Sequence, residues 1–388
     1  MRLSKEELEN VKKKYGVDTL YSFSRFDKFR QSKYEYFLTY IKHEDPQGEI
    51  SPYGILGGEC HDLIESFYNG EIEYKDLADA FDTAFATNID MLDYKFNRSD
   101  EEMNKSIKKK YFENLLEFFK NYKPLPYKMA NEKFVAIKVA DNIVFQGYID
   151  NVYKDKNGIY WITDYKTSSA YKGKAIEEHS HQLVLYAAGL NQMGVPADKI
   201  RIQWNFLKYV NIDTLQKNGK VAHTVSERRE IGQKCKAKAK IWLKTYGFSD
   251  DEIDEFANEM LVSNSIDCLP DEVKEKFTIE DCYVEVENWQ DIWEELKEEI
   301  IETVNEINRL TEEYNLTGDD KLFWDDDEKL KSQSYYLSNL SDYKISQLKD
   351  YANYLERQEA EKEASEDLLG VGKKIEEDND MAWLSDIV

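Results

Sequence analysis

The chain has 388 residues, enough for two or three domains and a sizeable buried core. Hydrophobic residues at 41% and aromatics at 13% exclude a disordered chain, and no run of about 18 apolar residues is present that would span a bilayer. A formal net charge of −25 opposes contact with a polyanion unless positive charge is concentrated locally, as it is from Gln216 to Lys244.

In chain order, Phe26, Phe29, Tyr36, Phe37 and Tyr40 recur at three- and four-residue steps, which predicts a helix over 24–40 with Ser22 or Ser24 as its N-cap. Further helical patterns run over about 58–68, 74–92 and 101–122, closed by Pro124 and Pro126. Three short runs rich in Val, Ile, Phe, Tyr and Trp follow, 133–139, 142–153 and 158–166, and their turn signals predict an antiparallel meander. A helix over 174–193 then crosses to a strand over 200–210, giving an α/β core.

Beyond the core, 225–246 reads as a basic helix and 289–314 as a long acidic one. The second carries a stripe of Trp289, Ile292, Trp293, Leu296, Ile300, Val304, Ile307 and Leu310, a packing face or a short coiled coil. After Tyr354 the composition turns to Glu, Lys, Ala, Asp and Ser, which predicts a solvated tail with an apolar tip at Met381, Ala382, Trp383, Leu384, Ile387 and Val388. Cys60, Cys235, Cys268 and Cys282 show neither CxxC spacing nor disulfide density, so a reducing compartment fits. Residues 1–15 lack the apolar core of a signal peptide, and the expectation is a soluble, cytoplasmic protein without a membrane partner.

The segment Gly147-Tyr148-Ile149-Asp150 is followed, after a hairpin, by Ile162-Thr163-Asp164-Tyr165-Lys166-Thr167. Residues two apart on a strand share a face, so Asp164 and Lys166 project together. A turn at Asn157-Gly158 brings Asp150 alongside from the neighbouring strand. Two carboxylates suit Mg²⁺ or Mn²⁺, and a lysine beside them can orient an attacking water, the set that phosphodiester hydrolysis requires. An isolated Asp-x-Lys would by itself read as a surface ion pair.

Company strengthens the reading. Gly57-Gly58-Glu59-Cys60-His61-Asp62-Leu63-Ile64-Glu65 lies upstream, Asn131-Glu132-Lys133-Phe134 precedes the meander, and His181-Gln182-Leu183-Val184-Leu185-Tyr186 follows it. With the opening Ser22-Phe23-Ser24-Arg25-Phe26, these segments resemble the RecB/AddB-like exonuclease branch of the PD-(D/E)XK nuclease superfamily over roughly 21–210. The resemblance implies a restriction-endonuclease-like α/β fold, a mixed sheet flanked by helices with N- and C-terminal helical elaborations. It implies His61, Asp150 and Asp164 as metal ligands, Asp150, Asp164 and Lys166 as the catalytic set, and Gln182 and Tyr186 as residues that position DNA. Glu132 and Glu65 are candidates for supporting this site.

Several relatives hold an iron-sulfur cluster, but the corresponding regions Phe29–Tyr34 and Tyr336–Tyr343 contain no cysteine, so no cluster is expected. The implied activity is Mg²⁺- or Mn²⁺-dependent hydrolysis of DNA, by an exonuclease of recombination, repair or phage DNA processing. A structure-selective or adaptation-type endonuclease, or a non-catalytic scaffold with the same fold, is the alternative. The Lys-, Asn- and Tyr-rich composition suits a low-GC bacterium or its phage.

The expected organisation is an N-terminal helical region (1–130), a catalytic core (131–215), a mainly helical C-terminal region (216–355) and an acidic mobile tail (356–388) that either docks on a partner protein or solubilises the chain. The basic region reads equally as a phosphate-contacting surface or a solvated helical face, and Trp204, Phe206, Tyr209 and Trp242 as base-stacking platforms or core residues.

Overall fold

The computed structural model describes residues 3–48 and 50–368, so the apolar tip at Met381, Ala382, Trp383, Leu384, Ile387 and Val388 lies outside the described residues. Helix α1 (Lys5–Tyr15) starts on a Ser4–Glu7 capping box and is followed by strand β1 (Leu20–Ser22). Ser22 caps α2 (Phe23–Gln31) by accepting from the Arg25 amide. The single helix expected over 24–40 is broken at Ser32, which adopts an extended backbone and caps α3 (Lys33–Tyr36) by accepting from the Glu35 amide. A π-helical turn, Phe37–Lys42, completes this segment.

Helices α4 (Pro52–Tyr68), α5 (Leu77–Phe85) and α6 (Glu101–Lys120) share a core around Leu56, Cys60, Phe81 and Phe118. That core meets the sheet through Tyr165 and Leu207. Proline in its first turn lets α4 begin earlier than the expected Gly58.

Strands β2 (Met129–Ala140), β3 (Ile143–Lys154) and β4 (Tyr160–Lys166) form the expected antiparallel meander. Its second turn places Gly158 at φ 80°, while the Asp155 carboxylate accepts from the Asn157 and Ile159 amides. The helix expected over 174–193 is two pieces, α7 (Lys174–His179) and α8 (His181–Gln192), parted at Ser180. From α8 the chain enters β5 (Ile200–Leu215), parallel to β4, as a crossover connection requires.

Past Phe206, β5 outruns β4 and pairs with β6 (Val221–Glu227). Residues 225–227, read from composition as the start of a basic helix, are therefore strand, and the helix α9 (Ile231–Thr245) begins after them. Helices α10 (Asp250–Ser263) and α11 (Asp271–Lys274) lead to β7 (Phe277–Val286), which runs antiparallel along the other edge of β5. No strand was expected there. All seven strands belong to one mixed sheet.

The apolar stripe of α12 (Trp289–Thr317) is a packing face: Trp289, Leu296, Ile300, Val304, Ile307 and Leu310 are buried, and the helix lies on α8, α2 and β2. Helices α13 (Asp327–Ser332), α14 (Ser334–Asn339) and α15 (Lys349–Leu368) follow. Residues 356–368, expected as the start of a tail, continue α15, with exposed side chains over 356–365. The C-terminal helices return to the N-terminal segment: the buried Glu35 carboxylate accepts from the Tyr336 hydroxyl at 2.7 Å and from the Ser341 hydroxyl. Among the described residues, no helix is long and apolar enough to cross a membrane.

Candidate active site

Asp164 and Lys166 alternate with the buried Tyr165 on β4, and the Lys166 ammonium lies 2.7 Å from Asp164 Oδ2. One step along the ladder from the Asn151–Thr163 pair, Asp150 on β3 comes across from Asp164, so the two carboxyls face each other from neighbouring strands. Burial, and then the charge of Asp164, push Asp150 well above the usual carboxylate range, although Lys166 pulls the other way. Burial acts on Asp164 in the same sense, but the charge of Lys166 beside it outweighs burial and holds Asp164 below its ordinary value. For Lys166, burial favours the neutral amine, and the Asp164 charge overrides it, so the ammonium persists. The two acids are thus pushed apart, Asp150 upward and Asp164 downward, with Lys166 paired to Asp164.

His61 reaches this pair from α4. Its Nε2 lies 2.8 Å from the Tyr165 carbonyl, and because a carbonyl only accepts, Nε2 carries the proton. In the neutral ring that leaves the Nδ1 lone pair free to bind, 3.5 Å from Asp150 Oδ2. Glu65, Asn131 and Glu132 line the same recess as His61 and Asp150. Glu132 is placed there by backbone irregularity: its φ of 47° interrupts the β2–β3 ladder between the Asn131–Asn151 and Lys133–Ile149 pairs. A left-handed residue without glycine costs on the order of 1 kcal/mol and re-aims the side chain.

Among the described residues, no three His, Cys, Asp or Glu side chains are already gathered as a metal cage. The donors are linked pairwise, His61 beside Asp150 and Asp150 across from Asp164. The donor set nevertheless fits a hard divalent cation. Two carboxyls face one ammonium, which leaves a second negative charge that a divalent cation would balance.

Helix α8 closes one side. Gln182 Nε2 donates to the Tyr186 hydroxyl at 3.1 Å, and burial raises Tyr186 to about 12. The Tyr186 ring sits where a side chain at position 147 would be, since a Cβ on Gly147 would lie 2.4 Å from Tyr186 Cε1. Gly147 in the Gly-Tyr-Ile-Asp segment is thus the gap that admits α8 to the strand carrying Asp150. Arg30 of α2 steadies the start of α8, with Nη1 3.4 Å from His181 Nδ1 and Nε 2.8 Å from Glu299 of α12.

The structure therefore brings His61, Asp150, Asp164 and Lys166 together, with Glu132 and Glu65 at their edge and Gln182 and Tyr186 on the adjoining helix. Trp204 and Phe206 are buried in the core and offer no stacking face, while Trp242 donates its Nε1 proton to the Leu215 carbonyl at 2.9 Å. The reading from sequence missed the Tyr165 carbonyl that orients His61, because a backbone acceptor has no residue-type signal. It also missed the Asn151–Asn131 amide pair at 2.8 Å and the Gln203–Thr163 bond at 3.0 Å, which tie β3 to β2 and β5 to β4 beneath the carboxylates.

No curated protein matches the chain. The family model of the PD-(D/E)XK nuclease superfamily matches residues 21–314, a span that holds β2 to β7 and every residue of the site just described. The mixed sheet flanked by helices is consistent with the restriction-endonuclease-like fold, and members of the superfamily are nucleases that use divalent metals, typically Mg²⁺ or Mn²⁺. The chain belongs to the PD-(D/E)XK nuclease superfamily, which implies a metal-dependent nuclease with DNA as its substrate.

Proposed function

We propose that the protein is a RecB/AddB-like exonuclease that hydrolyses DNA phosphodiesters at Asp150, Asp164 and Lys166, in recombination, repair or phage DNA processing. The observation that carries the proposal is the facing of Asp150 and Asp164 on neighbouring strands, with Lys166 2.7 Å from one carboxylate and His61 Nδ1 3.5 Å from the other. Asp150, Asp164 and His61 would hold Mg²⁺ or Mn²⁺, which when bound neutralises the phosphate and lowers the pKa of water.

The chain's own groups complete the chemistry. Lys166 remains an ammonium next to Asp164, so it orients the attacking water and balances charge on the phosphate instead of serving as the resting base. His61 is held in one tautomer by the Tyr165 carbonyl, which keeps Nδ1 directed toward Asp150. Gln182, braced by Tyr186, presents its amide from α8 to the DNA strand. Glu132 and Glu65 support the recess around Asp150. The four cysteines are free thiols, as a reducing bacterial cytoplasm would keep them.

An exonuclease needs an end. In Mg²⁺, end-labelled linear DNA is expected to be degraded while covalently closed circles of the same sequence persist. Cutting of closed circles at the rate of linear DNA would refute the exonuclease and favour a structure-selective endonuclease.

A further inference from the structure

In this acidic chain, positive charge gathers on the part of the sheet that projects past the catalytic end. β4 stops at Lys166 opposite Phe206, whereas β5 continues to Leu215 flanked by β6 and the first half of β7. Helix α9 lies along that extension. It begins just after the Tyr209–Glu227 pair, and near its far end Trp242 donates to the Leu215 carbonyl. The helix therefore leads outward from the level of the catalytic strand ends to the tip.

Cys235, Ala239 and Leu243 bury the inner face of α9 against Val210 and Ile212 of β5 and Met260 of α10. The remaining faces carry Lys234, Lys236, Lys238, Lys240 and Lys244. Lys234 pairs with Glu230 at 3.2 Å and Lys240 with Asp254 at 2.6 Å. Among the described residues, Lys236, Lys238 and Lys244 form no ion pair, and neither do Lys217 and Lys220 at the β5–β6 turn. At four-residue steps Lys236 and Lys244 flank the Lys240–Asp254 pair on one side of the helix, while Lys238, two residues from Lys236, lies on the opposite flank beside Lys234.

Beside the neighbouring aromatics a further cation adds to the cationic character of the tip: the Lys276 ammonium sits 5.3 Å from the Trp242 ring centre and 5.9 Å from that of Tyr246. Charge predominates on this surface, which suits a backbone of phosphates and is indifferent to base sequence. Each four-residue step advances about 6 Å, so the helical series alone spans several phosphates of a DNA strand.

We propose that this lysine track is a phosphate-binding arm that holds the DNA backbone beyond the catalytic centre. The proposal rests on the nuclease reading above and names the surface that lets so acidic a protein retain its substrate. The test uses the full chain with Lys236, Lys238 and Lys244 changed together to Gln, and a second triple variant with Arg at the same positions. Binding of a long duplex and of a long single strand is measured in chelator over a salt series, alongside cleavage of a tetranucleotide and of the duplex in Mg²⁺.

The Gln variant is expected to bind duplex at least about tenfold more weakly, with a salt slope shallower by about two to three units, and to require more duplex for half-maximal cleavage. The Arg variant is expected to bind as the wild type does, and tetranucleotide cleavage is expected to be unchanged in both. Wild-type affinity and salt slope in the Gln variant would overturn the arm while leaving the catalytic assignment intact. A wild-type chain that neither binds nor cuts any DNA would overturn both. A change seen only in how residues 369–388 associate with the chain, with DNA affinity unmoved, would assign the track to the acidic C-terminal segment and overturn the proposal.

Discussion

Lys208 shows how far the environment of one side chain departs from what its residue type suggests. It is 2% exposed, its ammonium lies 3.5 Å from the Tyr111 ring centre, and burial, reinforced by Lys110, lowers it from the usual lysine value to about 7. Glu227 opposes the shift without reversing it. The folded chain therefore binds one proton fewer than the unfolded chain between about pH 7 and the ordinary lysine pKa, and this residue's contribution makes stability rise with pH across that window. Lys208→Met is expected to stabilise the protein at pH 7 by on the order of a few kcal/mol and to flatten the rise toward pH 10. Urea unfolding at both pH values checks this, and an unchanged pH dependence would contradict it.

At the Asp150–Asp164 pair, by contrast, residue type and spacing were informative. The two-residue strand period placed Asp164 beside Lys166, and the Asn157-Gly158 turn set the register that delivers Asp150. What could not be read there was carried by backbone, namely the Tyr165 carbonyl behind His61 and the left-handed φ of Glu132.

Among elements, the misread segments have a common cause. Apolar periodicity continues across Ser32 and Ser180, so one helix was expected on either occasion where two are found. β7 went unseen because Glu280 and Asp281 interrupt an otherwise strand-like run, and the compensation lies far away in sequence. The Asp281 carboxylate accepts from Arg228, whose Nε donates to the Leu207 carbonyl at 2.6 Å, and both side chains are buried. This ion pair fastens β7 to the connection between β6 and α9 at the root of the lysine-bearing extension. Asp281→Ala would leave the Arg228 charge buried without its partner and is expected to cost about 3–5 kcal/mol in urea unfolding. A loss below about 1 kcal/mol would mean that the extension is held by its apolar packing alone.

For the molecule as a whole, the order helix, meander, crossover helix and parallel strand was legible because each of those elements satisfies its own local pattern. The return of β7 to the edge of β5, and of the C-terminal helices to Glu35, depends on contacts between distant segments, which local patterns do not encode. The net charge of −25 argued against a DNA enzyme only while charge was treated as uniform. Folding leaves Lys236, Lys238 and Lys244 on the outward faces of one helix and Asp164 paired with Lys166 at the site. Local segregation of charge is what allows an acidic protein to handle a polyanion.

The most direct measurement is a cleavage time course on end-labelled DNA with the wild type and Asp164→Asn, each in Mg²⁺, Mn²⁺ and chelator, with circular dichroism confirming that both are folded. Metal-dependent cleavage by the wild type, abolished in chelator and reduced on the order of a hundred- to a thousandfold in the folded variant, is the expected result. Equal cleavage by the two proteins, or cleavage that persists in chelator, would contradict a metal centre at Asp150 and Asp164.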